Sequence, residues 1–186
     1  MHTYKPLPVD KEIKISSKNF LVSKTDEKGT ILYVNDTFCD VTGYDEVEVI
    51  GKAHNILRHP DMPAIIFYLM WEQIKSDKNI RALIKNLAKS GKYYWVSTDF
   101  EIHKENNTRT YIAFRRAAPK KAINAIEPLY EHLLKIEKSH GVQASLVYLQ
   151  GYLNERHLTF DEYMDSLLKP QGFIAIIFDK MKSRFF

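Results

Sequence analysis

The side chains in this sequence best suited to chemistry cluster between positions 54 and 63, in His54-Asn-Ile-Leu-Arg-His-Pro-Asp-Met-Pro63. Two imidazoles, a guanidinium and a carboxylate fall within it. Pro60 and Pro63 bracket Asp61 just before an apolar stretch. That pattern predicts a helix with Asp61 as its cap and Pro63 in its first turn. Arg58 and His59 beside a helix start are suited to holding an anion. The same residues could instead form a structural salt link with Asp61, and His54 alone reads as structural or surface. Other chemistries lack their parts. The sequence has no Gly-rich dinucleotide loop and no nucleophile–base pair. Its single cysteine, Cys39, excludes an intramolecular disulfide and a Cys-based zinc cage.

The elements that must position these groups can be read from periodicity. Residues 1–18 form a polar arm in which Pro6 and Pro8 oppose an early helix. Phe20 to Lys24, the turn Asp26-Glu-Lys-Gly29 and Ile31 to Val34 read as strand, turn, strand. A short helix follows over Asn35 to Val41, capped by Asn35 or Asp36. After the 54–63 segment, Ala64 to Ser76 carries the pairs Ile66/Met70, Phe67/Trp71 and Met70/Ile74 at helical spacing. Ile80 to Leu87 and Tyr93 to His103 alternate as strands about the turn Lys89-Ser-Gly91-Lys. Arg109 to Arg116 is a last strand after the turn Asn106-Asn107. From Pro119 the period is helical, with Pro128 expected to kink the first helix or start a new one. Val142, Leu146, Leu149 and Leu153 mark a second helix, and Thr159-Phe-Asp-Glu162 is a capping box opening a third. The tail joins the apolar run Phe173 to Phe178 to Lys180, Lys182 and Arg184, suited to a membrane surface, a partner groove or self-packing. The class is α+β.

Composition narrows the partners. The chain has 186 residues and 45% apolar content, enough for a core without staples. Its net charge of +4 is spread among acids rather than gathered in a stripe, a poor match to a nucleic-acid binder. The longest apolar run, Ala64 to Trp71, is eight residues, too short to span a bilayer. With no apolar leader in residues 1–20, the expected location is cytoplasmic.

Several short motifs resemble one family. They are Asn35-Asp-Thr-Phe38 with Thr42-Gly-Tyr44, the 54–63 segment, Met70-Trp71, Lys85-Asn86, Tyr94-Trp-Val96 and Ile126-Glu-Pro-Leu-Tyr130. Together they resemble a PAS domain, and more narrowly the flavin-binding PAS domain of bacterial aerotaxis receptors and stand-alone energy-taxis proteins. The likeness covers about residues 20–135 and weakens beyond 140. It implies a five-stranded antiparallel sheet with helices on one face over residues 19–118, followed by a helical extension over 119–186. It also implies FAD held without a covalent bond, with Asn35, Arg58, His59 and Asp61 carried over as the residues tied to it.

Strand alternation adds to that set. Asn86 shares a face with Ile80, Ala82 and Ile84, which aims its amide into the apolar slot. Ile66, Phe67, Met70, Ile80, Ile84, Val96 and Phe100 are available to line that slot, and Trp71 is either core or cofactor contact. Aligning the last strand in PAS order places Arg115 inward, where a fixed cation would favour negative charge on a reduced ring. Trp95 faces outward, toward a terminal helix or a dimer mate. One departure stands out: the aerotaxis receptors carry a tryptophan where this chain has Ile80. Cys39 lies away from the place where light-sensing PAS domains form their adduct, at Arg58-His59 here.

The resemblance implies a non-enzymatic redox sensor for energy taxis. Its partner would be a separate membrane chemoreceptor of the methyl-accepting kind, at the inner face of the membrane. A homodimer through the outer sheet face and the 120–153 helices is expected. Two alternatives keep the fold: a haem b sensor ligated by His59 or His54, and a cofactor-free adaptor whose pocket is filled by its own side chains. A flavin oxidoreductase lacks any second-substrate site.

Overall fold

Alternating polar and apolar residues build an antiparallel sheet whose two faces have different jobs. The structure, a computed structural model, describes residues 5–105 and 108–168. The chain runs β1 (Leu21–Asp26), β2 (Ile31–Val34), α1 (Asp36–Thr42), α2 (Glu46–Val49), a 3-10 turn (His54–Leu57) and α3 (Ala64–Lys75). It continues as β3 (Ile80–Leu87), β4 (Tyr93–Glu105), β5 (Thr108–Ala117), α4 (Lys120–His140), α5 (Val142–Asn154) and α6 (Phe160–Leu168). The five strands lie in the order β2-β1-β5-β4-β3, all neighbours antiparallel. This is the expected α+β class. The apolar-basic tail and the turn Asn106-Asn107 lie outside the described residues.

Asn35 explains the first corner. Its Oδ1 caps α1 by accepting from the Phe38 N–H at 3.1 Å and also accepts from the Val22 N–H at 2.9 Å. Its Nδ2 donates to the Phe20 carbonyl at 2.8 Å. The side chain therefore pins the start of β1 to the helix that follows β2.

The inner face of the sheet carries Ser23, Thr25, Ile84, Asn86, Phe100, Tyr111, Ala113 and Arg115, all of which face α3 and the 3-10 turn across a cavity. The outer face of β3 and β4 is covered by the chain's own helices. Trp95 is buried there, stacked on Tyr130 of α4 at 6.3 Å between ring centres. The Tyr130 hydroxyl donates to the Leu83 carbonyl at 2.9 Å. Arg81 links Asp99 of β4 at 2.6 Å to Asp165 of α6 at 3.0 Å.

One helical expectation is narrowed and another corrected. Pro128 does not start a new helix: α4 runs through it as one element, because Ile123, Ile126, Leu129, Tyr130 and Leu133 on both sides of it are buried on one face. Packing of that stripe outweighs the lost hydrogen bond of one proline. Asp61 does not cap α3. Its carboxylate is drawn to Lys85 of β3 at 2.7 Å, and the first amides of α3 are capped from another helix. The Thr159–Glu162 box does open α6, with Glu162 N–H to Thr159 Oγ1 at 3.2 Å and Thr159 N–H to Glu162 Oε2 at 2.7 Å.

The N-terminal arm is more ordered than its sequence suggests. Val9 N–H donates to the Gly91 carbonyl at 2.8 Å, and Ile13 N–H donates to the Tyr93 carbonyl at 2.7 Å. Tyr93 N–H returns a bond to Lys11 at 3.1 Å. The arm thus lies along the end of β4 that β5 leaves open, since the β4–β5 register stops at Val96↔Ala117.

Candidate functional site

Between the sheet and α3 lies a cavity of about 400 Å³, within the range of small-molecule and cofactor sites. Its apolar walls come from Phe67, Met70, Trp71 and Ile74 of α3 and from Ile84 and Phe100 of the sheet. Trp71 meets Tyr111 edge to face at 5.7 Å, and both rings line the cavity. Gly29, in the β1–β2 turn at φ +80, allows this packing. A Cβ there would sit 3.2 Å from the Trp71 ring. Exposed Lys28, Asn55 and Tyr68 mark the mouth.

The buried polar groups are unusual. Arg115 is 2% exposed, yet among the described residues no carboxylate is within salt-bridge range of it. Its guanidinium donates to Ser23 Oγ at 2.9 Å and to His54 Nε2 at 2.8 Å. A guanidinium can only donate, so His54 Nε2 is the acceptor and the imidazole proton sits on Nδ1. Burial, reinforced by the Arg115 charge, holds His54 well below its ordinary pKa, so it is neutral near pH 7. Burial also lowers Arg115 itself to about 10, which leaves it charged. Beside it, the buried Asn86 Nδ2 and the Tyr94 hydroxyl on the paired strand are near enough for the amide to favour the phenolate, but neither makes a hydrogen bond of good geometry. A buried amide donor without an acceptor is costly, and such groups are rare.

At the outer end of the cavity Arg58 lies over the Phe67 ring at 4.5 Å and donates to the Met62 carbonyl at 3.0 Å. Burial lowers its pKa while the charge of Glu137 on α4 opposes that shift. The backbone of Arg58 also bridges to Asn86 on the edge strand.

Of the residues singled out from sequence, Arg58, Phe67, Trp71, Asn86 and Arg115 line the cavity, while Asn35, His59, Asp61 and Ile80 do not. The amide of Asn35 is used by the backbone around α1. His59 is buried edge-on against Tyr93 at 6.0 Å, and its Nδ1 accepts from the Asp61 N–H at 3.1 Å. Burial lowers its pKa, against the nearby Asp61 carboxylate. For Asp61, burial raises the pKa, but the hydrogen bond and charge of Lys85 outweigh it, so the carboxylate titrates low. Ile80 is packed in the core. Among the apolar candidates, Ile66 and Val96 are likewise buried without reaching the cavity. Sequence reasoning passed over Ser23, Lys28, Asn55 and Tyr111 among the lining residues, and it weighed His54 only as a structural or surface residue or a haem ligand, not as the partner of Arg115. Ser23 and Tyr111 carry a usable signal, since strand alternation places them with Thr25, Ala113 and Arg115.

Fold and cavity together define a PAS domain. The region is a PAS domain: residues 31–114 match the model described as PAS fold, and the domain is similar to that of an aerotaxis receptor. It is 33% identical over 151 residues to the aerotaxis receptor of Escherichia coli, a match covering 81% of this chain and 30% of the receptor. It is 31% identical over 93 residues to the bacterioopsin transcriptional activator of Halobacterium salinarum, covering 49% of this chain and 14% of that protein. The chain therefore spans less than a third of the length of these relatives. Among solved structures, a light-oxygen-voltage domain studied with a flavin analogue matches with a TM-score of 0.52 and 19% identity, over 61% of this chain and 87% of that one. That likeness concerns the fold. Among the described residues no helix is long and apolar enough to cross a membrane.

Proposed function

We propose that this PAS domain is a redox sensor that holds FAD without a covalent bond, and that it passes its state through the C-terminal helices to a separate membrane chemoreceptor. The observation that carries this reading is the pairing of a buried, uncompensated Arg115 with the unpartnered Asn86 amide in one aromatic-lined cavity. A flavin offers carbonyl and ring-nitrogen acceptors along one edge of an apolar ring, which suits a fixed cation and a free amide donor. Phe67, Trp71 and Tyr111 would hold the ring, and Arg58 at the outer end would hold an anionic group of the cofactor. Asn35, His59 and Asp61 would act at a distance, by fixing the β1 corner and the segment that presents Arg58.

Bound flavin supplies reversible electron transfer, and the chain supplies its electrostatic setting. Arg115, fixed between Ser23 and His54, keeps a positive charge next to the ring site at every physiological pH. His54, kept neutral with its proton on Nδ1, adds no second charge there. A haem held by His59 finds less support, because that ring lies outside the cavity and its Nδ1 is engaged. The relation to the aerotaxis receptor supports a role in sensing rather than catalysis, and signalling as a homodimer belongs to the same proposal.

The test is the visible spectrum of protein purified with its cofactor retained. The expected result is a two-banded oxidised flavin spectrum, released on denaturation as FAD and lost in Arg58→Ala. A Soret band, or a colourless protein that also refuses added FAD, would overturn the reading.

A further inference from the structure

Helix α3 is at once a wall of the cavity and a helix whose start is held from outside. Its first two free amides, Ala64 N–H and Ile65 N–H, each donate at 2.8 Å to the two carboxylate oxygens of Glu137, seventy-odd residues later on α4. The same carboxylate lies 3.2 Å from Ser145 Oγ, a fully buried hydroxyl in the first turn of α5 whose single proton is shared between Glu137 and the Val142 carbonyl at 2.8 Å. One acid therefore ties together the cavity wall, the end of α4 and the start of α5. Glu127 and Tyr130 extend this contact along α4, toward Lys85 at 3.9 Å and onto the Leu83 carbonyl of the edge strand.

The positive corner that Glu137 caps includes Arg58. The guanidinium is bonded to the Met62 carbonyl just before α3 and feels the Glu137 charge. It also lines the cavity. An anion engaging Arg58 from the cavity side lowers the positive potential that draws in Glu137 from the other side.

We propose that Glu137 is the transmission contact of this protein. A cavity anion and the Glu137 carboxylate compete for the corner of Arg58 and the α3 N-terminus, so occupancy of the cavity loosens the α4–α5 junction. By linkage, loosening that junction strengthens binding in the cavity. Where the anion is the cofactor's, the inference rests on the FAD reading, but the coupling between the two sides of α3 does not.

Amide hydrogen exchange on the full chain tests the coupling without ligand, using Glu137→Gln, Arg58→Ala and the double variant. Glu137→Gln should speed exchange in the first turn of α3 and in residues 142–149. Arg58→Ala should speed exchange at the same amides in the wild-type background and add little in the Glu137→Gln background. Changes that add, or that stay local to each substitution, would overturn the proposal. In FAD titrations, Glu137→Gln should bind about fivefold tighter than wild type, the lower end of usual coupling factors. Equal affinities would also overturn it. Absence of FAD uptake by both proteins would refute the cofactor reading instead, and the exchange cycle would still decide the coupling.

Discussion

Replacing Arg115 by methionine should make the ligand-free protein more stable, although it removes the most buried cation of the site. The guanidinium falls from the ordinary arginine range to about 10 because burial disfavours its charged form. At ~1.4 kcal/mol per tenfold, that corresponds to roughly 3 kcal/mol of cost. The sign follows from protons bound. Above about pH 10, up to the unfolded arginine value, the unfolded chain binds more protons than the folded one, so stability rises with pH there, and at pH 7 the whole cost is in force. Methionine has similar length and no charge. It removes the cost but leaves Ser23 Oγ and His54 Nε2 without their donor, worth about 1 kcal/mol between them once they bond each other. The net expectation is a gain of roughly 1–2 kcal/mol. For a chain of this size that raises Tm by about 3–6 °C. Calorimetry of cofactor-free wild type and Arg115→Met at pH 7 reads it directly, and FAD affinity should fall in parallel. A variant destabilised by more than about 2 kcal/mol would refute the reasoning. Arg115 would then be a structural strut rather than a charge held in reserve for a ligand.

Three further outcomes follow from the same geometry. The depressed pKa of His54 means that folding favours its neutral form, so its contribution is present above the unfolded value of about 6.5 and is lost as pH falls below it. The stability difference between wild type and His54→Gln, measured by urea unfolding, should therefore shrink from pH 7 to pH 5. A constant difference would contradict this. Gly91→Ala should strip the N-terminal arm from the sheet rather than unfold the domain. Gly91 has φ +81, and a Cβ would sit 2.2 Å from the Leu7 carbonyl oxygen. Limited proteolysis should then cut between residues 5 and 18, while the melting curve stays cooperative. Tyr130→Phe loses its bond to the Leu83 carbonyl and should lower stability by about 1 kcal/mol, seen as a Tm drop with the FAD-binding spectrum unchanged.

Much of the sheet was legible because period-two alternation is a local property. Tyr94 and Trp95 could be assigned to opposite faces by counting alone, and Asn86 to the face of Ile80 and Ile84, whereas Arg115 needed the PAS strand order to be placed inward. The capping of α1 by Asn35 and of α6 by Thr159 was legible for the same reason, since each cap is written within four residues. What the sequence could not reveal are meetings between distant parts of the chain. Asp61 has the right type and place to cap α3, but Lys85, twenty-four residues on, takes its carboxylate, and Glu137 supplies the cap. His54 reads only as a structural or surface imidazole until β5 brings Arg115 against it, sixty-one residues later. Pro128 is a helix breaker by local rules, and only the buried stripe around it explains why α4 continues.

The two rims of the sheet carry a consequence for how copies of this molecule can meet. An open strand edge is a template for adding another chain, with aggregation as the hazard. Here β3 is a rim strand, but it is bridged by Arg58 opposite Asn86 and accepts the Tyr130 hydroxyl on the Leu83 carbonyl. At the other rim β2 is only four residues long, and Ile31 already exchanges bonds with Gly51 and Lys52. The β1–β2 register also slips between Lys24 and Thr25, which bends that rim out of the flat ladder a docking strand needs. Strand addition is thereby hindered at both rims of the described sheet. Pairing of copies through helix surfaces or side-chain contacts can rearrange when a helix shifts, whereas a continuous intermolecular sheet would lock.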